Sequence, residues 1–199
     1  MSLPPPELDP RHAAALAART AAHATREGLA AAAYATVDSP VGRLVAVMTP
    51  RGLARIAYED SNGGLDAVLD DVAARLSPAI VEAPLDDVRR ELDEYFAGRR
   101  RDFDLAIDWA LVRTQFTEGV LRATAAIPFG ATSTYRDIAN AAGSPAAFRA
   151  TGNALGSNPI PIVVPCHRVL ASGGRLGGYT GGLERKRRLL AIEGAMLAM

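Results

Sequence analysis

The chain has 199 residues, 49% of them hydrophobic and 22% charged, with 22 basic and 22 acidic side chains. Such a composition is not that of a disordered chain, and a single cysteine excludes both an internal disulfide framework and a four-cysteine or two-cysteine, two-histidine zinc site. No apolar run is long enough to cross a bilayer and no basic, Leu-rich leader is read at the start, so a soluble, reducing, cytoplasmic setting is expected.

The charge balance conceals a division. Residues 1–112 carry 12 Arg against 18 Asp and Glu, whereas residues 113–199 carry 9 Arg and Lys186 against 4 acidic residues. An acidic part joined to a basic part points to two domains, the second facing a polyanion.

Pro4, Pro5, Pro6 and Pro10 keep the first residues extended. The Ala-rich stretch 11–33 predicts a helix, so 1–33 reads as a partly ordered extension, with His12 and His23 structural or exposed. Tyr34 to Val37, Arg43 to Met48 and Leu53 to Glu59 read as strands joined by the turns Ser39-Pro40-Val41-Gly42 and Thr49-Pro50-Arg51-Gly52, an antiparallel meander. Leu65, Val68, Leu69, Val72 and Leu76 recur at helical spacing up to Pro78. Val88, Leu92, Tyr95 and Phe96 outline a second helix stopped at Gly98, and Phe103 to Ile107 reads as a short strand. Residues 34–108 thus form an α+β domain in which no constellation of titratable groups points to chemistry.

Val120, Leu121, Thr124 and Ile127 share a helical face closed by Pro128-Phe129-Gly130. Thr134 is the expected N-cap of a short helix through Ala142, with Ile138 inward and Asp137 toward solvent. After the turn Gly143-Ser144-Pro145, with Ser144 as cap and Pro145 at the first helical position, a helix runs to Leu155 with Phe148 and Leu155 inward. Two short helices around a glycine turn have helix-turn-helix spacing, which by itself is a weak sign of DNA binding. The run Arg185, Lys186, Arg187 and Arg188 reads as a solvated helix face. The expected fold is α+β. An N-terminal antiparallel-sheet domain with helices (34–108) precedes a mostly helical C-terminal domain (113–195) containing a winged-helix-like helix-turn-helix.

The strongest local feature is Asn158-Pro159-Ile160-Pro161-Ile162-Val163-Val164-Pro165-Cys166-His167-Arg168-Val169. A strand-like apolar run delivers the only cysteine between a proline and a histidine. His167 and Arg168 can stabilise a thiolate, and Glu193 can orient a histidine as third member of a relay. Successive side chains of an extended strand point apart, so Cys166 and His167 cooperate only if the backbone turns or a water bridges them.

Pro165-Cys166-His167-Arg168-Val169 resembles the active-site motif of the O6-alkylguanine-DNA alkyltransferases, the methylated-DNA–protein-cysteine methyltransferases. Further matches follow in order across about 115–195. Ile127-Pro128-Phe129-Gly130 with Tyr135 and Ile138-Ala139 resembles the family's first helix-turn-helix segment. Gly143-Ser144-Pro145 with Phe148-Arg149-Ala150 and Gly152 resembles its recognition helix. Asn158-Pro159 is similar to its asparagine hinge, and Gly177-Gly178-Tyr179-Thr180-Gly181-Gly182 to the loop after its cysteine. Lys186, Leu189-Leu190 and Glu193-Gly194 look like its closing helix. Thr151 departs from the pattern, standing where the family most often has valine.

The resemblance implies irreversible, stoichiometric transfer of an alkyl group from O6-alkylguanine in duplex DNA to Cys166, with O4-alkylthymine as a further candidate. His167, through a water and oriented by Glu193, would take the thiol proton. Asn158 would organise the turn, and Tyr135 would serve the leaving O6 and the rotation of the 3′ phosphate. Arg149 would replace the extruded base, with Ala150 and Gly152 allowing close approach in the minor groove. Tyr179, Thr180, Val169 and Pro161 would line the base pocket, the Cys166 and Val169 carbonyls accepting from the guanine amino group. No cofactor, metal, membrane or obligate protein partner is implied. The competing readings are a non-catalytic sensor of alkylated DNA and, more weakly, a cysteine hydrolase.

Overall fold

The expected meander is present. In the computed structural model, β1 (Ala32–Val37), β2 (Leu44–Thr49) and β3 (Gly52–Tyr58) pair antiparallel, with Tyr34 opposite Val47 and Ala46 opposite Ile56. The structure describes residues 31–77 and 79–195, together with Leu16 and Thr20. Most of the Ala-rich segment and Pro78 therefore lie outside the described residues, although Ala32 and Ala33 belong to β1 and not to a helix.

The sheet is mixed, which corrects the purely antiparallel expectation. β4 (Ile80–Glu82) lies parallel to β1, giving the order β3-β2-β1-β4. Three residues are too few for a period-two pattern to register. Residues 103–107 form no strand. Ile107 makes one isolated bridge to Leu53, whose N–H donates to the Ala106 carbonyl at 2.8 Å. Gly52 permits this approach, since a Cβ there would collide with the Ala106 backbone.

β2 and β3 are buried on both faces, which is why they read as nearly continuous apolar runs. One face packs under α1 (Leu65–Arg75), with Val68 and Val72 against Val45, Val47, Ala54 and Ala57. The other carries Leu44, Ala46, Ile56 and Tyr58 into one core with Val88, Leu92 and Tyr95 of α2 (Asp86–Phe96). That core continues through Val120, Leu121, Ile160, Val164 and Leu189, so the sheet is packed directly against the part that carries the cysteine.

α3 (Gln115–Ala125) is capped by Thr114, whose hydroxyl accepts from the Thr117 N–H at 3.1 Å. Thr134 caps α4 (Tyr135–Ala141) as expected. Asp137, expected only to face solvent, completes a capping box by accepting from the Thr134 N–H. β5 (Ser133–Thr134) pairs parallel with β6 (Val169–Leu170) and ties the start of α4 to the strand after the cysteine.

A 3₁₀ turn over Pro145–Ala147 precedes α5 (Phe148–Gly156), and Ser144 makes no side-chain cap. Thr151, Ala154 and Leu155 face inward, whereas Phe148, in the first turn of α5, lies at the edge of that face and stands 40% exposed. This corrects the inward placement of Phe148. α6 (Leu183–Ile192) closes the described chain and buries Lys186, Leu189 and Leu190. No helix among the described residues is long and apolar enough to cross a membrane.

Candidate active site around Cys166

The run 158–164 is not a strand. Pro159 and Pro161 bring no N–H, and Ile162 takes the left-handed region at φ 78°. The segment folds back on itself instead, with the Val164 N–H donating to the Ile160 carbonyl at 2.9 Å. Asn158 holds it from within. Its side-chain oxygen accepts from the Ile160 N–H at 3.0 Å, and its Nδ2 donates to the Val164 carbonyl at 2.8 Å and to Cys166 Sγ at 3.1 Å. β3 braces the same segment from outside, the Ile56 N–H donating to the Pro159 carbonyl at 2.8 Å.

Cys166, His167 and Arg168 form a 3₁₀ turn. The backbone turns, so the three side chains fan out by about 120° per residue. His167 is fully buried, and its Nε2 lies 2.8 Å from Glu193 Oε1. Arg168, expected to act on the thiolate, points to Glu193 instead, its Nε on Oε2 and its Nη2 on Oε1, both at 2.8 Å. It also donates to the Ile127 carbonyl. Tyr95 of α2 donates to Glu193 Oε1 at 2.7 Å, and the Gly130 N–H reaches Oε2 at 3.4 Å. One buried carboxylate thus receives donors from α2, from the turn before β5, and from the cysteine turn.

These contacts settle protonation. Burial opposes the Glu193 charge, but the bonds from His167, Arg168 and Tyr95 outweigh it and hold the carboxyl down to about 2. Burial lowers the His167 pKa, so the ring is neutral at pH 7. A neutral ring facing a carboxylate keeps its proton on Nε2. Nδ1, buried with no partner among the described residues, is left with its lone pair free to accept a proton. Burial pushes the Cys166 thiol up to about 11, against the opposing effects of the Asn158 amide and the Lys186 charge. The resting residue is a thiol, which reacts only if a base removes its proton.

Cys166 lines a cleft of about 290 Å³ together with Tyr135, Gly152, Leu155, Gly156, Gly178, Tyr179 and Thr180. Thr180 donates to the Gly156 carbonyl at 2.9 Å, and the Tyr179 and Tyr58 hydroxyls meet at 2.7 Å. A side chain at Gly177, whose φ is 63°, would strike the Tyr135 hydroxyl. Val169 and Pro161 do not line this cleft, contrary to expectation. Both are buried, and the Val169 carbonyl accepts from Lys186 Nζ at 2.6 Å. Arg149 and Ala150 are exposed on α5, away from the sulfur. A larger cleft of about 570 Å³ lies elsewhere, between α1 and the start of α3. Its lining holds the hydroxyls of Thr114, Thr117 and Ser157 but neither a cysteine nor a histidine, and its Arg55 and Arg75 share Asp71.

Sequence reasoning missed four residues here. Tyr95 and Tyr58 come from the domain in which no chemistry was expected. Lys186, read as solvated, is fully buried and also donates to the Gly178 carbonyl at 3.1 Å, its pKa lowered by burial to about 8. Arg185, from the same run, reaches the Val41 carbonyl at 2.6 Å and pairs with Asp60 across to the sheet. The apolar Leu189-Leu190 pair in the middle of a basic helix was the one available signal that Lys186 turns inward.

The fold and the site together define a thiol-based group-transfer protein, with its cysteine on the floor of a cleft and a buried His167–Glu193 pair behind it. Residues 32–109 match the family model described as "6-O-methylguanine DNA methyltransferase, ribonuclease-like domain", and residues 115–195 match "6-O-methylguanine DNA methyltransferase, DNA binding domain". A methylated-DNA–protein-cysteine methyltransferase of Mycolicibacterium paratuberculosis is 42% identical over 165 residues, 80% of this chain and 91% of that protein. The crystal structure of Mycobacterium tuberculosis O6-methylguanine methyltransferase superposes with a TM-score of 0.70 at 36% identity, covering 82% of this chain and 93% of that one. A structure of Mycobacterium tuberculosis OGT in complex with DNA gives the same score and identity over 81% and 92%. The chain belongs to the methylated-DNA–protein-cysteine methyltransferase family.

Proposed function

We propose that this protein repairs DNA by direct reversal, moving an alkyl group from guanine O6 in a duplex to Cys166. The observation that carries the assignment of the acceptor is a buried thiol at the floor of an open cleft, one residue from a histidine whose Nε2 lies 2.8 Å from Glu193. His167 Nδ1, through a bridging water, takes the thiol proton as the sulfur attacks. The sulfur–carbon bond forms, the carbon–O6 bond breaks, and its electron pair passes to O6, where guanine takes up a proton. Tyr135, in the cleft wall, is the donor assigned to O6. Asn158 fixes the sulfur's position, and Thr180 holds the Gly178–Thr180 loop to α5. The thioether resists hydrolysis, so each molecule acts once, and the balance requires no cofactor.

α4 and α5 are read as a helix-turn-helix. The small residues Ala150 and Gly152 let the duplex approach, and exposed Arg149 enters the space left by the extruded base. The partner is duplex DNA carrying O6-alkylguanine.

The test is intact-protein mass spectrometry after incubation with a duplex containing O6-methylguanine. Gain of one methylene's mass, mapped to Cys166 and limited to one equivalent, is the expected result. Cys166→Ser is expected to bind the duplex and gain nothing. Wild-type protein that binds the lesion without gaining mass would instead establish a sensor.

A further inference from the structure

Phe148 is one of three large apolar side chains exposed among the described residues, and it lies beside the site. It is the first residue of α5, at the 3₁₀-to-α junction, with its ring turned out of the core. A shallow cleft of about 390 Å³ surrounds it, lined also by Arg136, Arg149, Arg175, Tyr135 and Gly152. Tyr135 and Gly152 belong equally to the cleft that ends at Cys166, so the two spaces are contiguous. The Arg149 guanidinium carbon lies 5.6 Å from the Phe148 ring centroid, so plate and cation stand together.

An isolated exposed phenylalanine needs no explanation. This one has three arginines around it and opens onto the reactive thiol. A surface of that kind suits a ligand that is anionic along its backbone and flat and apolar within. Stacked nucleotides have that form, and apolar side chains are inserted between base steps by proteins that kink or open a duplex.

We infer that Phe148 is a positioning residue for duplex DNA, stacking on the base or sugar next to the opened step and working with Arg149 as a two-part wedge. The inference rests on the repair reading above. Phe148 touches neither the sulfur nor the relay, so its effect is confined to substrates whose base must first leave a helix. Arginines 136 and 175 hold the flanking phosphates while the ring occupies the unstacked step.

The test compares single-turnover alkylation of Cys166 by two substrates: a duplex containing O6-methylguanine, and the free base O6-benzylguanine, which has no helix to open. Phe148→Ala is expected to slow the duplex reaction about tenfold, the scale of a lost base–aromatic contact, and to leave the free-base rate within about twofold. Phe148→Trp is expected to restore the duplex rate, and Phe148→Leu to restore it only in part. A 2-aminopurine placed next to the lesion reports the unstacking itself, and its fluorescence rise on binding is expected to shrink in Phe148→Ala. An unchanged duplex rate, or equal loss on both substrates, would overturn the assignment. The repair reading fails separately, if wild-type protein is alkylated by neither.

Discussion

The two ends of the site are built on opposite plans. Around Glu193 every contacting side chain is buried, and three of them, from two distant parts of the chain, converge on one carboxylate. At the mouth, Arg149, Gly178 and Thr180 are exposed and Tyr135 is half-buried. Proton transfer needs a fixed distance, a fixed tautomer and little water, which the inner end supplies. A macromolecular substrate needs room and a pliable edge, which glycines and the first turn of a helix supply. Substitutions at the inner end are therefore expected to damage stability and chemistry together, whereas those at the mouth separate them.

The largest effect is expected from Glu193→Gln. Arg168 and His167 would be left buried without their carboxylate, a change that costs about 3–5 kcal/mol. A urea melt should show that loss, and alkyl transfer should fall with it. A fully stable variant would break the contrast between the ends.

Acid probes the same group without mutation. Glu193 is held at about 2 in the folded chain against an ordinary 4.5. A depressed pKa contributes stability that is present above the unfolded value and lost as pH falls through the folded one, here on the order of 3 kcal/mol between about pH 4.5 and 2. His167 acts in the same direction from pH 6.5 downward, because its folded pKa is also lowered. Urea melts across pH 7 to 3 should therefore show falling stability. Transfer should weaken as His167 becomes protonated and strengthen above neutral pH as the thiol, at about 11, loses its proton more readily.

Tyr95→Phe removes one donor to the carboxylate and keeps the ring packing. About 2 kcal/mol of stability should be lost, the usual scale for a hydrogen bond to a charged group, with transfer slowed but present. Arg149→Ala sharpens the contrast from the other side. Its thermal midpoint should match wild type, within about 0.5 kcal/mol in stability, while its duplex reaction slows and its free-base reaction does not.

The parts of this design that were legible in the sequence are those that depend on neighbours along the chain. Thr134 announces a cap because a threonine stands just ahead of a short helical pattern, and β1 to β3 announce themselves by strand-length runs set between turns. Cys166, His167, Asn158 and Glu193 were named from local motifs, and the structure brings them together. What escaped depends on distance. Nothing near Tyr95 marks it as a partner of Glu193, 98 residues away, and nothing near Tyr58 points to Tyr179, 121 residues away. The apolar stretch before Cys166 misled in the opposite sense. Its composition suits a strand, but Pro159, Pro161 and the φ of Ile162 force a folded-back turn. The same holds for Phe148, whose spacing suits the core although its place at the very start of α5 leaves it at the edge of the packed face.

The long reach of these bonds bears on the order in which the molecule comes together. The hairpin of β2 and β3 and the short helices close small loops, whereas Tyr95–Glu193, Tyr58–Tyr179 and Asp60–Arg185 each close a loop of about a hundred residues or more. Large loops close late, so the Tyr95 donor reaches Glu193 only in the final stage of folding, whereas His167 and Glu193 close a loop of just 26 residues. A refolding chain should regain its sheet before it regains the capacity to accept an alkyl group. Until then the Glu193 carboxylate lacks the donor that α2 supplies.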